Sequence, residues 1–357
     1  MSSSSSFPAA LQWLARLAIA LSLLCAVGLA GLYHFGPARS GWAELLRYVP
    51  FLLYTAPAAL ALLLSLALGW WWRLGALLAL ALMATAVMDL RLGLGRTDLP
   101  PDAPGTRTVR FMTYNIKSYR AVFKAGGFVP LNNEIEQHQP DILVMQDARE
   151  VSRVGDLPYG MRAVLPKHKL YAYGQYAVAS RFPISGCAPF DMSLKDEKSD
   201  YVRCTVDIDG TRIDLVTAHL LTPREGLNAT REERLGGLDD WSGNFADRLS
   251  QAERITAALT PLKRPTIVAG DLNAPEHSVV VGRFLDLGLR DAFSAGGIGW
   301  GFTHGHSFKP GVSFLRIDHI LVSPDIGVRD AWVGWRGGSE HRPVVADLVI
   351  PTRAAKP

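Results

Sequence analysis

The pattern of hydrophobic and polar positions divides the chain in two. Up to about residue 95 there is no amphipathic period, only long apolar runs. Leu17–Phe35 is uncharged for about 19 residues and Tyr48–Trp72 for about 25. A third run, Leu74 to about Leu94, is uncharged as far as Met88 and then meets Asp89 and Arg91. At 1.5 Å per residue, each can cross a hydrocarbon core of roughly 30 Å. The pattern therefore predicts three transmembrane helices, over about 14–35, 49–71 and 74–94. Trp70, Trp71, Trp72 and Arg73 read as an interfacial turn between the second and third. The serine run at the start reads as disordered. Residues 97–107 (TDLPPDAPGTR) read as a linker, because Pro, Asp and Gly cluster there without an apolar period.

From 108 to 350 the pattern changes to short runs of strand and helix period, with a tail at 351–357. Strands are expected at Val109–Ile116, Asp141–Gln146, Tyr176–Arg181, Thr266–Gly270, Ile317–Val322 and Val344–Ile350. Two more fall within Arg203–His219, around the turn pair Asp209-Gly210. Helices are expected at Asn132–His138, Phe245–Leu259 and Val279–Leu287, and Thr222–Asn244 reads as a surface loop with helical pieces. Strands that often follow one another directly point to an α+β fold, or to two stacked sheets with outer helices.

Composition changes this picture little. The 48% hydrophobic and 20% charged residues are ordinary for a globular protein, but the first 95 residues hold almost none of the acids. A net charge of +4, without a basic stripe or lysine-rich tail, is weak support for a nucleic-acid partner. With three spans, Arg16 and Arg73 share one side of the membrane. Arg39, Arg47, Arg91 and Arg96 share the other with the C-terminal domain, and the count leans towards a cytoplasmic domain. Cys25 lies in an apolar run. Cys187 and Cys204 would be neighbours only if their strands pair, and no disulfide framework or zinc spacing is expected.

The candidate chemistry sits where strands end. Asn115 closes MTYNI, Asp147 closes DILVMQD, His219 closes LVTAHL, and Asp271 and Asn273 close IVAGDLN. Asp318 and His319 open IDHILV, and Glu340 and His341 precede the last strand in SEHRPV. Each alone has a structural explanation in a turn, a cap or a packed polar pair. A polar group at the end of a buried strand is also held rigidly while still meeting solvent, so several together can build a site.

The ordered series MTYNI, PDILVMQD, SRFPI, TAHL, GDLNAP, RIDHILVS and SEHRPV resembles the endonuclease/exonuclease/phosphatase superfamily, over about 108–350. The resemblance implies a four-layered α/β sandwich and a Mg²⁺- (or Mn²⁺-) dependent phosphoester hydrolase. It implies that Asn115, Asp147 and Glu340 serve the metal, and that His219 lies near the scissile phosphate. Asp271 and Asn273 would orient the attacking water and hold a phosphate oxygen, and His341 would act as acid/base with Asp318 as its partner. Carboxylate and amide oxygens are hard ligands suited to such an ion.

Two positions depart from the family pattern: Asp147 stands for the usual Glu, and Glu340 for the usual Asp. If both reach one ion, the two changes in length compensate. The expected partners are a phosphoester (nucleic acid, phospholipid headgroup or soluble ester) and a lipid bilayer around the N-terminal spans, in a multi-pass protein of the cell (inner) membrane. No protein partner is identifiable. The alternative is a tethered module that binds without catalysis, against which the presence of His219, Asp271, Asn273, Asp318 and His341 argues.

Overall fold

In the computed structural model the described residues are 8–36, 40–49, 52–100, 103–194, 198–233, 235–305 and 312–352. The N-terminal serine run, Arg39 and residues 353–357 of the tail lie outside them. The chain separates into two units, with the boundary between Leu90 and Arg91.

The first unit is helical. Its main elements are Ala9–Phe35, Leu52–Ser65 and Trp70–Leu82, the last running on as a π-helical turn over Met83–Val87. Small residues make the contacts: Ala15, Ala26, Ala61, Ala76 and Ala79 are buried, while Leu14, Leu17, Leu21, Leu24, Leu60, Leu63, Leu77 and Leu78 face outward. Small side chains let helix backbones approach closely, and an apolar outer surface is the reverse of what water favours. Ala9–Phe35 and Trp70–Val87 are long and apolar enough to cross a membrane.

The structure differs from the expected three spans at the second and third. The helix in the 49–71 region has 14 residues, about 21 Å at 1.5 Å each, and carries Pro57 inside it. The turn falls at Leu66–Leu68, with Gly69 as the next N-cap, so Trp70–Trp72 open a helix rather than forming the interfacial turn. The last helical run ends at Val87, not near 94, because the chain is already extended at Arg91–Leu92.

The second unit is built from strands. In chain order they are β1 Arg91–Leu92, β2 Thr106–Asn115, β3 Ile142–Gln146, β4 Lys169–Tyr173, β5 Tyr176–Ser180, β6 Ile184–Asp191 and β7 Asp200–Ile208. They continue as β8 Thr211–His219, β9 Thr266–Asp271, β10 Arg290–Asp291, β11 Ile298–Gly299, β12 Asp318–Val322, β13 Gly327–Val333 and β14 Val344–Pro351. Two six-stranded sheets result, ordered β13-β14-β2-β3-β5-β4 and β10-β12-β9-β8-β7-β6, while β1 pairs with β11.

Side-chain alternation sorts these strands into layers. Val109 and Phe111 of β2, Ile142 and Val144 of β3, and Ile267 and Ala269 of β9 point into one core between the sheets. Met112 and Tyr114 of β2 and Leu143 and Met145 of β3 point the other way, against helices Val129–His138 and Met161–Val164. Val268 of β9 packs outward against helices Gly237–Leu259 and Val279–Leu285. Strands covered on both faces read as unbroken apolar runs, which explains ILVM in β3. The result is the expected α+β sandwich of two sheets between outer helices.

Two local features mark the β6-β7-β8 meander. Asp209 and Gly210 both take positive φ (49° and 83°), as the two-residue hairpin between β7 and β8 requires. On the other side of β7, pairing with β6 brings Cys187 and Cys204 to a Cα–Cα distance of 4.1 Å, and they form a disulfide. This corrects the expectation of no disulfide. A register shift between Ser185 and Ala188 creates the approach, and sequence spacing does not show it.

Candidate active site

The site grows from one row across three adjacent strands. β8 runs parallel to β9 with His219 opposite Asp271, and β12 runs antiparallel to β9 with Asp318 opposite Asp271. The register alone therefore sets a histidine and two carboxylates side by side. Gly270 makes the approach possible: a Cβ there would lie 2.0 Å from the Ala218 carbonyl oxygen of β8.

Asp271 is buried and accepts on both oxygens. Oδ1 takes the Asn273 backbone N–H (3.0 Å), and Oδ2 takes the Asn115 side-chain amide from the other sheet (2.9 Å). Oδ2 also lies 3.4 Å from His219 Nε2 and 3.7 Å from His341 Nε2. Asn273 donates its own amide to the Leu220 carbonyl (2.8 Å), which ties the GDLN turn to the end of β8.

His341 donates from Nδ1 to Asp318 Oδ2 (2.9 Å), and Ser339 holds its backbone N–H (3.2 Å). Ser339 in turn donates to the Asn115 carbonyl (2.6 Å). Burial alone would lower the His341 imidazole. Asp318, and then Asp271, outweigh it and hold the group above the ordinary histidine range. Asp271, Asp318 and His341 present ligand atoms all within 4.8 Å of one another, a group that could hold a metal ion.

Three more predicted positions stand at this end of the sheets. His219 donates from Nδ1 to Gln175 Oε1 (2.7 Å), which aims Nε2 at Asp271. Asp147 follows β3 and accepts from Lys117 Nζ at 2.8 Å. Burial alone would raise the Asp147 carboxyl, but His219 and then Lys117 hold it below the usual range. Glu340 accepts from the Arg120 guanidinium. His319, named beside Asp318, belongs elsewhere: it is bound by Asp291 Oδ2 (2.7 Å) and the Ala274 carbonyl (2.9 Å).

The backbone is strained where these groups are displayed. Lys117, Asp147 and Asn273 have φ of 45°, 50° and 49°, in a region non-glycine residues seldom enter. Each follows the end of a central strand. Strain of this kind persists only where the surroundings hold it, and it gathers at functional sites.

Sequence reasoning missed Lys117, Arg120, Gln175, Ser339 and His304. His304 stacks on His341 with centroids 4.2 Å apart and planes at 19°. Of these, Ser339 opens the motif SEHRPV, and Lys117 and Arg120 follow MTYNI in YNIKSYR, so inspection of those motifs and their flanks could raise them; nothing comparable marks Gln175 or His304.

The family model described as "Endonuclease/Exonuclease/phosphatase family" matches residues 112–341. An endonuclease/exonuclease/phosphatase from Beutenbergia cavernae is 21% identical, with a TM-score of 0.50 over 68% of this chain and 72% of that one. An endonuclease/exonuclease/phosphatase family protein from Bacteroides thetaiotaomicron is 17% identical (TM-score 0.49, 69% and 98% covered). An AP endonuclease from Archaeoglobus fulgidus is 18% identical (TM-score 0.48, 67% and 98% covered). At these identities the likeness is one of fold. No curated protein matches the chain.

Proposed function

The chain belongs to the endonuclease/exonuclease/phosphatase family, and from that premise we propose that it is a membrane-anchored, metal-dependent phosphoester hydrolase. The observation that carries the reading is the row His219–Asp271–Asp318, completed by His341 and by Asn115 from the other sheet. Phosphoester hydrolysis needs a positioned water, neutralisation of the phosphoryl oxygens and a proton for the leaving oxygen.

Asp271, held by Asn115 and Asn273, orients the water and takes its proton. Asn273 anchors the turn that presents Asp271 and, beside it, shares in holding a phosphate oxygen. His219, aimed by Gln175, faces the phosphoryl group. His341, kept protonated by Asp318, supplies the proton.

Asn115, Asp147 and Glu340 would hold the ion, and their donor chemistry fits Mg²⁺ or Mn²⁺, since carboxylate and amide oxygens are hard. Such an ion supplies Lewis-acid neutralisation of the phosphoryl charge. Asp147 and Glu340 carry Lys117 and Arg120 as they stand, and these cations would have to give way where an ion is held.

The apolar helices Ala9–Phe35 and Trp70–Val87 anchor the catalytic domain, residues 108–350, to a bilayer. The Cys187–Cys204 disulfide favours an oxidising compartment for that domain, against the lean of the arginine count towards the cytoplasm. The substrate is a nucleic acid, a phospholipid headgroup or a soluble phosphate ester.

The test is turnover of bis(p-nitrophenyl) phosphate, p-nitrophenyl phosphate, plasmid DNA and mixed phospholipids by the full chain in detergent, with and without Mg²⁺ or Mn²⁺. Metal-dependent turnover is expected, and Asp271→Asn should lower it by about 10²–10⁴-fold without loss of fold. A folded protein inert on every substrate would instead support the non-catalytic binding module.

A further inference from the structure

Lys117 is placed with unusual care for a lysine. Its backbone sits in the left-handed region (φ 45°, ψ 49°), where asparagine or glycine would cost less. Its N–H meets Asn115 Oδ1 at 3.3 Å, while the next residue, Ser118, donates through both N–H (2.9 Å) and Oγ (2.7 Å) to the Asp147 carbonyl. The turn after β2 is thus stitched to the turn after β3. The Lys117 ammonium then closes on Asp147 Oδ2 at 2.8 Å, with only 13% of the lysine side chain exposed. One helical turn on, Arg120 pairs with Glu340 in the same manner. Both charged groups proposed to hold an ion therefore carry a cation from a single four-residue stretch.

An ammonium and a divalent ion cannot share one carboxylate at close range without strong repulsion in a partly buried site. A phosphoester changes the balance, because it brings phosphoryl oxygens that an ammonium on a flexible four-carbon stem can reach instead. Resting on the hydrolase reading, we propose that Lys117 is a phosphate-binding residue that doubles as the resident counter-cation of Asp147. It neutralises Asp147 in the free protein and passes to a phosphoryl oxygen when a divalent ion takes the carboxylate. Phosphate and metal consequently bind together better than either binds alone. By linkage, each raises the other's affinity by the same factor.

The experiment measures Mn²⁺ binding to the full chain in detergent, from the electron paramagnetic resonance signal of free Mn²⁺, with and without inorganic phosphate and against protein-free controls. The wild type should bind Mn²⁺ weakly alone and at least about tenfold more tightly with phosphate. Lys117→Met should bind Mn²⁺ at least about tenfold more tightly without phosphate and lose the linkage, whereas Lys117→Arg should keep it. Mn²⁺ bound equally by the wild type and Lys117→Met, unaffected by phosphate, would overturn the inference while leaving the hydrolase reading in place. Absence of both Mn²⁺ and phosphate binding from folded wild type would instead remove the hydrolase reading itself. If Lys117→Met fails to fold, the wild-type linkage decides alone: its presence supports the exchange, and its absence overturns it.

Discussion

Asp271 and Asp318 are both buried carboxylates one strand apart, yet their surroundings differ. Asp271 accepts from an amide and a backbone N–H and looks onto two imidazoles. Asp318 is committed to His341 Nδ1, backed by the Thr303 hydroxyl, which lies 3.3 Å from its N–H. The consequence is read on His341. Its folded pKa is raised, so the protonated form is present throughout the ordinary histidine range and is lost only as pH rises through the higher folded value. If His341 supplies the proton, activity should fall on the alkaline side at a pH above that range. Asp318→Asn removes the leading influence that raises the group, so the alkaline limb should move to lower pH in a kcat profile. A limb that stays put in Asp318→Asn would mean that another group sets it.

The strand-end residues of this site were legible because a polar side chain directly after ILVM or TIVAG stands out against its neighbours. Lys117 in YNIK and Gln175 in a hairpin turn look like any surface residue. What marks them is a backbone angle or a cross-strand contact, neither of which leaves a trace in local sequence.

At the scale of elements, the division between what was legible and what was not follows sheet position. β2, β3, β5, β7, β8, β9, β12 and β14 are interior strands, and all of them were expected. β4, β6, β10 and β13 are the edges of the two six-stranded sheets, and none was. Interior strands such as β3 and β9 are buried along their whole length, so their apolar runs are continuous. An edge such as β6 is exposed or half-buried throughout, and ISGCAPFD carries no alternation to detect. The disulfide went unforeseen for the same reason, since Cys187 lies on that edge. The start at Val279 was expected where it falls, but another was late: Gly237–Leu259 begins eight residues before the expected Phe245, because its first turns are polar.

The element on which the site depends most is the contact of β8 with β9. Gly270→Ala would set a methyl group 2.0 Å from the Ala218 carbonyl oxygen, which neither strand can yield without breaking the His219–Asp271 register. A loss of about 2–4 kcal/mol is expected, as for other overpacked or conformationally strained sites. Denaturant unfolding followed by tryptophan fluorescence, with buried Trp241 as reporter, would measure it. An unchanged midpoint would mean that the strands separate more easily than the register implies.

For the whole molecule, if the apolar helices span a membrane as proposed, two lines of physical argument point to opposite sides of it. The arginine count leans towards a cytoplasmic catalytic domain, but by a margin of two residues, and one of those counted, Arg39, lies outside the described residues. The apolar helix Leu52–Ser65 is short, and with Ala9–Phe35 and Trp70–Val87 as the two spans the arginines divide three and three, which removes the lean. The disulfide does not depend on the count. Cys187 and Cys204 sit on paired strands in the unit that carries the site, and a structural disulfide persists where the surroundings are oxidising. Cys25, in the helical unit, is unpaired. The two locations give different thiol counts. Denatured protein taken directly from cells and treated with a polyethylene-glycol maleimide should gain one adduct from an oxidising compartment, and three after reduction. Protease added outside cells stripped of their outer barriers should then digest the domain that carries Asp271. Three adducts before reduction, with a protected domain, would place the site in the cytoplasm and make the arginine count the better guide. One adduct and a digested domain would confine the substrates to phosphoesters outside the cytoplasm, and chromosomal DNA would drop from the candidates.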